Sequence, residues 1–225
     1  MGAVSAPDRS GAHARPERYA NPTHAPRGRR RAYTRSVALV TAYHGPHAAL
    51  IPVTLPALAR HAERHHHDLI LAAPAGHDVY AQFAGVRAMR QALDHHDAAV
   101  WLDADCLVSD RTPNLATLLD GADAMYAVDG PSVLVHLWAV RSTPRLRRLL
   151  DEMWAGRNRR PGTTHVDDIH GRFPPDARKL QVTRSGRVIE VAGVVHCSTA
   201  DGLDVPAAVQ ILSRADHFNN QAPDT

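Results

Sequence analysis

The stretch AAVWLDADCLVSD, residues 98–110, decides how this chain is read. Ala98 to Leu102 contains no polar residue, as expected of a strand covered on both faces in a parallel sheet. Asp103 and Asp105 then stand at its C-terminal end, the edge of an open α/β sheet at which ligands bind. Two carboxylates one residue apart repel, and both are costly to desolvate unless a cation or hydrogen-bond donors compensate them. A divalent metal carrying a diphosphate is the natural compensation, and oxygen ligands completed by water and phosphate suit Mg2+ or Mn2+. Asp also caps turns, so the pair taken alone speaks for a turn as much as for a metal site.

Two strand-and-helix units precede this stretch. Ser36 to Tyr43 reads as a buried strand, closed by the turn residues His44-Gly45-Pro46. From His47 to His65, Leu50, Leu55, Leu58 and Ala62 recur at helical spacing, with Pro56 expected to kink or divide the helix. Asp68 to Ala73 is the second strand, and this order implies a right-handed crossover and a parallel sheet. Tyr80 to Leu93 places Phe83, Val86, Met89, Ala92 and Leu93 on one helix face. The runs His65-His66-His67-Asp68 and His95-His96-Asp97 invite a metal reading, but adjacent residues point about 100° apart on a helix and to opposite faces on a strand. Both runs are therefore expected to be polar helix ends, with imidazoles near the negative end of the dipole.

After the aspartates, Thr112 is the expected N-cap and Pro113 the first residue of a short helix through Leu119. Ala122 to Val128 and Ser132 to Val140 read as strands, and Thr143-Pro144 opens an amphipathic helix through Trp154. The last apolar runs lie between Gly186 and Cys197.

The 225 residues suffice for one domain, and 44% hydrophobic with 22% charged residues is ordinary for a soluble protein. The net charge of +3 is unevenly spread: residues 1–35 hold eight arginines and two acids, a local +6, leaving −3 for the rest. That Pro-, Gly-, Ala- and Arg-rich stretch has no period and reads as a disordered, solvated tail rather than a nucleic-acid contact. No apolar run approaches the roughly 18 to 20 residues of a membrane helix, and the apolar centre of a secretory signal is absent. Two cysteines, Cys106 and Cys197, fit a reducing cytosol, so a cytoplasmic location is expected. The domain is expected over 36–214, with a flexible tail over 215–225.

The apolar strand, Asp-Ala-Asp and the short apolar Cys106-Leu107-Val108 together resemble the DxD motif of nucleotide-sugar glycosyltransferases of the GT-A fold. The families resembled include fungal mannan and plant xyloglucan transferases and the glycogenin-like retaining enzymes. The resemblance implies an α/β fold with a mostly parallel central sheet flanked by helices. It implies transfer of a sugar from a UDP- or GDP-sugar donor to an acceptor hydroxyl, dependent on Mn2+ or Mg2+, with retention of configuration. Carried over residue by residue, it puts Thr41, Ala42 and Tyr43 near the nucleotide base and ribose, and makes Arg87 the basic residue on the helix before the DxD strand. It gives the metal Asp105 and His196 directly, with Asp103 at the ribose or at the metal through water. Asp167 or Asp168 would lie near the reacting sugar carbon or the acceptor hydroxyl.

The chain departs from the family in two places. Leu134-Val135-His136 stands where Asn-x-Gly is usual, and Cys197-Ser198-Thr199-Ala200 replaces the Gly and Lys that meet the diphosphate. Phosphate charge would then fall to the metal, to backbone amides, or to an arginine such as Arg184 or Arg214. Two other classes stay open. One is a haloacid-dehalogenase-like phosphohydrolase with Asp103 as nucleophile and Asp105 as acid. The other is a non-catalytic sugar-nucleotide binding domain.

Overall fold

Strands without a polar face need helices on both sides of their sheet, and the chain supplies them in alternation. The computed structural model describes residues 36–43, 45–72, 81–130, 132–156, 172–186, 188–197 and 205–220. In chain order the elements are β1 (Val37–Thr41), a 3-10 turn (Gly45–Leu50), α1 (Ile51–His65), β2 (Asp68–Leu71), α2 (Ala81–Ala92), β3 (Ala98–Leu102) and β4 (Cys106–Val108). A 3-10 helix (Leu115–Leu119), β5 (Ala124–Asp129), β6 (Ser132–Arg141), α3 (Pro144–Gly156), β7 (Arg178–Gln181), β8 (Thr183–Ser185), β9 (Val188–Val191), β10 (Val194–Cys197) and α4 (Val205–Asn220) follow.

Six strands form the central sheet in the order β2-β1-β3-β6-β5-β7. β1 pairs in parallel with β2 and β3, and β5 with β7, while β6 runs antiparallel to its neighbours β3 and β5. The expected mostly parallel α/β sheet is therefore present. Successive strand residues face opposite sides. Leu39, Val100, Leu102 and Met125 pack into one core with Leu58 of α1 and Leu212 of α4. Val40, Trp101, Tyr126 and Trp138 pack into another with Met89 of α2 and Leu150 of α3. A second sheet, β4-β10-β9-β8, is antiparallel.

Several boundaries differ from expectation for local reasons. Pro56 lies inside an uninterrupted α1; the break falls at Leu50, between the 3-10 turn and the helix, and Pro52 occupies the first turn, where a missing N–H is harmless. Asn114, not Thr112, caps the 3-10 helix, its side-chain carbonyl accepting the Ala116 N–H at 2.9 Å. Thr112 instead accepts the Ser109 N–H and donates to the Gly193 carbonyl at 2.6 Å. Gly193 follows Ala192, and both have positive φ in the two-residue turn between β9 and β10, the pattern of a type I′ hairpin. A Cβ on Gly193 would meet Thr112 Cα at 3.2 Å, so the hairpin seats on that turn only through glycine. α4 continues to Asn220, past the expected tail boundary at Ala215. The expected tail over residues 1–35 lies outside the described residues.

Candidate active site

The two aspartates occupy the crossing from one sheet to the other. β3 belongs to the central sheet, β4 to the small one, and Asp103-Ala104-Asp105 is the turn between them, closed by the Cys106 N–H donating to the Asp103 carbonyl at 3.0 Å. From the central sheet, β6 reaches the turn: its His136 carbonyl accepts the Asp103 N–H at 3.0 Å and the Cys106 thiol at 3.3 Å. From the small sheet, β10 pairs His196 with Cys106, which carries the His196 ring to Asp105. The Nε2 to Oδ2 distance is 3.3 Å, and both residues are buried.

A bulge in β6 brings a further histidine to the same junction. Tyr126 pairs with Trp138, yet the next residue, Ala127, pairs with Leu134, so Val135, His136 and Leu137 are extra on β6. Bulges of this kind re-aim side chains beside active sites. Here the extra residues bring the His136 ring onto that of His196, with centroids 4.0 Å apart and planes within 2°.

The electrostatics follow from this burial. Asp103 is pushed up to about 7, first by desolvation and then by the Asp105 carboxylate, against the His196 imidazole and the Trp101 Nε1–H that it accepts at 2.6 Å. Burial also opposes ionisation of Asp105, but its hydrogen bond to His196 and the charge of His196 outweigh this and hold the carboxyl below its ordinary value. His136 is pushed down to about 3, chiefly by burial and then by His196. A carboxylate pair in which one member resists ionisation is a donor set that a divalent cation would complete. Among the described residues no three His, Cys, Asp or Glu groups are already arranged to hold a metal. Two protein donors, with the remaining positions left to phosphate and water, is a set that suits Mg2+ or Mn2+.

The C-terminal edge of β1 is tied to the same turn. The Thr54 hydroxyl of α1 approaches the carbonyls of Leu50 at 3.1 Å and Ala104 at 3.0 Å. Its single proton is used there, so Tyr43, 2.9 Å away, must be the donor in their contact. Tyr43, two residues past the end of β1, is thereby linked through Thr54 to the central residue of Asp-Ala-Asp.

No family model matches the chain, and no curated protein matches it. Among solved structures, the chain is similar to a glycosyltransferase involved in glycosylation of the major capsid of PBCV-1, with a TM-score of 0.54 and 12% identity over 64% of this chain and 81% of that one. The fold is the GT-A fold. Weaker likenesses are to GlyE of Streptococcus pneumoniae TIGR4, with a TM-score of 0.42 and 17% identity over 65% of this chain and 45% of that one. Another is a Drosophila β-1,4-galactosyltransferase 7 mutant in complex with manganese, UDP-Gal and xylobiose, with a TM-score of 0.41 and 12% identity over 65% of each chain.

Within this GT-A-like domain the expected site residues separate into groups. Asp103, Asp105 and His196 come together at the junction, and Thr41, Ala42 and Tyr43 lie at the same C-terminal edge of the parallel strands. The Thr41 and Ala42 side chains are buried beneath that edge, and Tyr43 reaches further out. Arg87 is not brought to the aspartates by any ion pair or hydrogen bond among the described residues; its guanidinium lies 5.3 Å from the Trp154 ring centroid on α3. Asp167 and Asp168 lie outside the described residues. Of the two arginines left open, Arg184 on β8 pairs with Asp129 at 2.7 Å and acts electrostatically on His136, whereas Arg214 is exposed on α4.

Three contributors escaped the sequence reading. His136 had a signal, a single polar residue in the apolar stretch of β6. His47, on the 3-10 turn after β1, lowers the Asp105 pKa by its charge and had none. Thr54 sat unmarked inside an amphipathic helix.

Proposed function

We propose that this domain is a metal-dependent glycosyltransferase that moves a sugar from a nucleoside-diphosphate donor, UDP- or GDP-linked, to an acceptor hydroxyl with retention. The observation that carries the reading is the buried approach of Asp105 and His196 at 3.3 Å, made where the β3–β4 turn meets β10, at the strand edge where nucleotides bind in such folds. Asp105 and His196 would hold Mn2+ or Mg2+, and a cation so held supplies neutralisation of the charge that develops on the departing diphosphate. Asp103, fixed by Trp101, would face the ribose or a metal-bound water. Tyr43 and the backbone of Thr41 and Ala42 would border the base. Arg184 is the arginine best placed to add positive charge on the phosphate side, where some members of the resembled families carry a lysine. Asp167 or Asp168 is assigned to the reacting sugar. The phosphohydrolase alternative is less well supported: its nucleophile would be Asp103, which is engaged by the Trp101 N–H, and its motif belongs on a first strand rather than a third.

The test is a thermal-shift series with UDP, GDP, CDP and TDP, each with Mn2+ or EDTA, on the wild type and on Asp105→Asn. A ligand bound only by the folded state must raise Tm by mass action. The expected result is stabilisation by one nucleotide, dependent on Mn2+ and absent in Asp105→Asn, followed by release of that nucleotide from its sugar conjugate. No Mn2+-dependent shift with any nucleotide would overturn the reading.

A further inference from the structure

Three imidazoles converge at the opposite edge of the central sheet, where α1 ends and β2 begins. α1 closes with His66 in the left-handed region at φ 57°, the His66 N–H meeting the Glu63 carbonyl and the His67 N–H the Ala62 carbonyl at 2.8 Å. This reversal turns His67 back along the helix that carries His61 and His65 one turn apart. The ring centroids are 4.5 Å apart for His61 and His65, 5.9 Å for His65 and His67, and 6.3 Å for His61 and His67. The sequence run His65-His66-His67 cannot converge on one ion, and His66 indeed points to solvent; His61 supplies the third ring instead.

Two further observations give the cluster a chemical direction. His61 is 1% exposed, and among the described residues neither of its ring nitrogens has a hydrogen-bond partner; His65 Nε2 is likewise buried without one. The tautomer of His67 is set by its neighbour. The Asn114 side-chain oxygen already accepts the Ala116 N–H, so it also accepts from His67 Nε2–H at 2.9 Å, which leaves the lone pair on Nδ1. An imidazole that donates one N–H to an oxygen and offers its other nitrogen is in the state metal-binding histidines adopt.

We propose that His61, His65 and His67 form a transition-metal site, separate from the aspartates, that takes Zn2+ or a similar imidazole-seeking divalent cation. With metal–nitrogen bonds of about 2.0–2.1 Å, three imidazoles around a tetrahedral ion stand about 5 Å apart between centroids, close to the spacings observed. Imidazole donors without a carboxylate select Zn2+, Ni2+ or Cu2+ over Mg2+ and Mn2+. The nearby carboxylates are engaged elsewhere, Asp110 with Arg64 and Asp68 with His96. Burial lowers the pKa of all three rings, which keeps them neutral and able to ligate at physiological pH. Among the described residues no three donors already surround one point, so binding turns the His65 and His67 rings, both of which are only half-buried. The bound ion would pin the end of α1 to the Asn114 turn through His67.

The experiment uses the tag-free full chain, equilibrium dialysis against chelator-buffered Zn2+, and the visible absorption of Co2+ as a probe of tetrahedral geometry. His65→Gln and His67→Gln change half-buried positions and leave the core intact; His66→Gln and Asp105→Asn are controls. Wild type and both controls should bind one Zn2+ equivalent that His65→Gln and His67→Gln bind at least about tenfold more weakly, with loss of the tetrahedral Co2+ spectrum. Equal Zn2+ uptake by the wild type and the two ligand variants would mean adventitious binding and overturn the proposal. Loss of the bound equivalent in Asp105→Asn would assign it to the aspartates and overturn it as well.

Discussion

His136 and His196 come from different sheets and stack face to face, with ring centroids 4.0 Å apart. The stack holds the His196 ring in the plane that presents Nε2 to Asp105. If His196 holds Mn2+ as proposed, His136→Ala should weaken Mn2+ affinity by about tenfold, the cost typical of losing a group that orients a ligand. His136→Phe keeps a stacking face and should retain most of the affinity. Mn2+ titration followed by electron paramagnetic resonance separates the two, and unchanged affinity in His136→Ala would remove the orienting role.

Thr54 joins Tyr43 to the Ala104 carbonyl within the Asp-Ala-Asp turn. Thr54→Val keeps the shape and removes both contacts, leaving Tyr43 Oη and buried carbonyls short of a partner. A loss of about 1–3 kcal/mol in urea unfolding is expected, with Thr54→Ser close to wild type. If both variants unfold at the wild-type midpoint, the relay does not contribute.

Gly85 lets α2 lie directly on the central sheet. A Cβ there would sit 3.0 Å from three atoms of the Trp101 ring, which is 5% exposed and donates to Asp103. Gly85→Ala should cost about 1–3 kcal/mol through overpacking. It should also disturb the Asp103 contact, so the loss of stability should be accompanied by weaker Mn2+ binding; a stable variant with normal binding would contradict the close packing.

His61 makes stability depend on pH. Burial, then the charges of His65, His67 and Arg64, push its imidazole down to about 4, with Asp110 acting in the opposite sense. In the unfolded chain it binds a proton near pH 6.5, so between about 6.5 and 4 the unfolded state carries the extra proton. Stability is therefore complete above about pH 6.5 and falls as pH drops toward 4, by on the order of 3 kcal/mol from this group. Urea midpoints across that window, in metal-free buffer, should show a flatter slope for His61→Gln than for wild type. Parallel slopes would assign the acid sensitivity to another group.

Most of the fold was legible because its signals are local. The unbroken apolar runs of β1 and β3, the helical spacing in α2 and the carboxylates after Leu102 are each contained in a dozen residues. Asp105 and His196, 91 positions apart, could be paired in advance only through resemblance to a family; the residues alone do not place β10 beside β4. The resemblance put Arg87 on the helix before the DxD strand, and its place beside Trp154 was not legible, because a helix residue meets whatever its face packs against.

The order of strands and helices, the crossover and the position of the acidic turn follow from the sequence itself, because side-chain period and chain chirality leave few alternatives. Tertiary structure alone decided the rest. The bulge that aims His136 at His196 and the routing of Tyr43 through Thr54 to Ala104 depend on contacts between segments far apart in the chain. No local period encodes such contacts; they exist only once both sheets and α1 have packed.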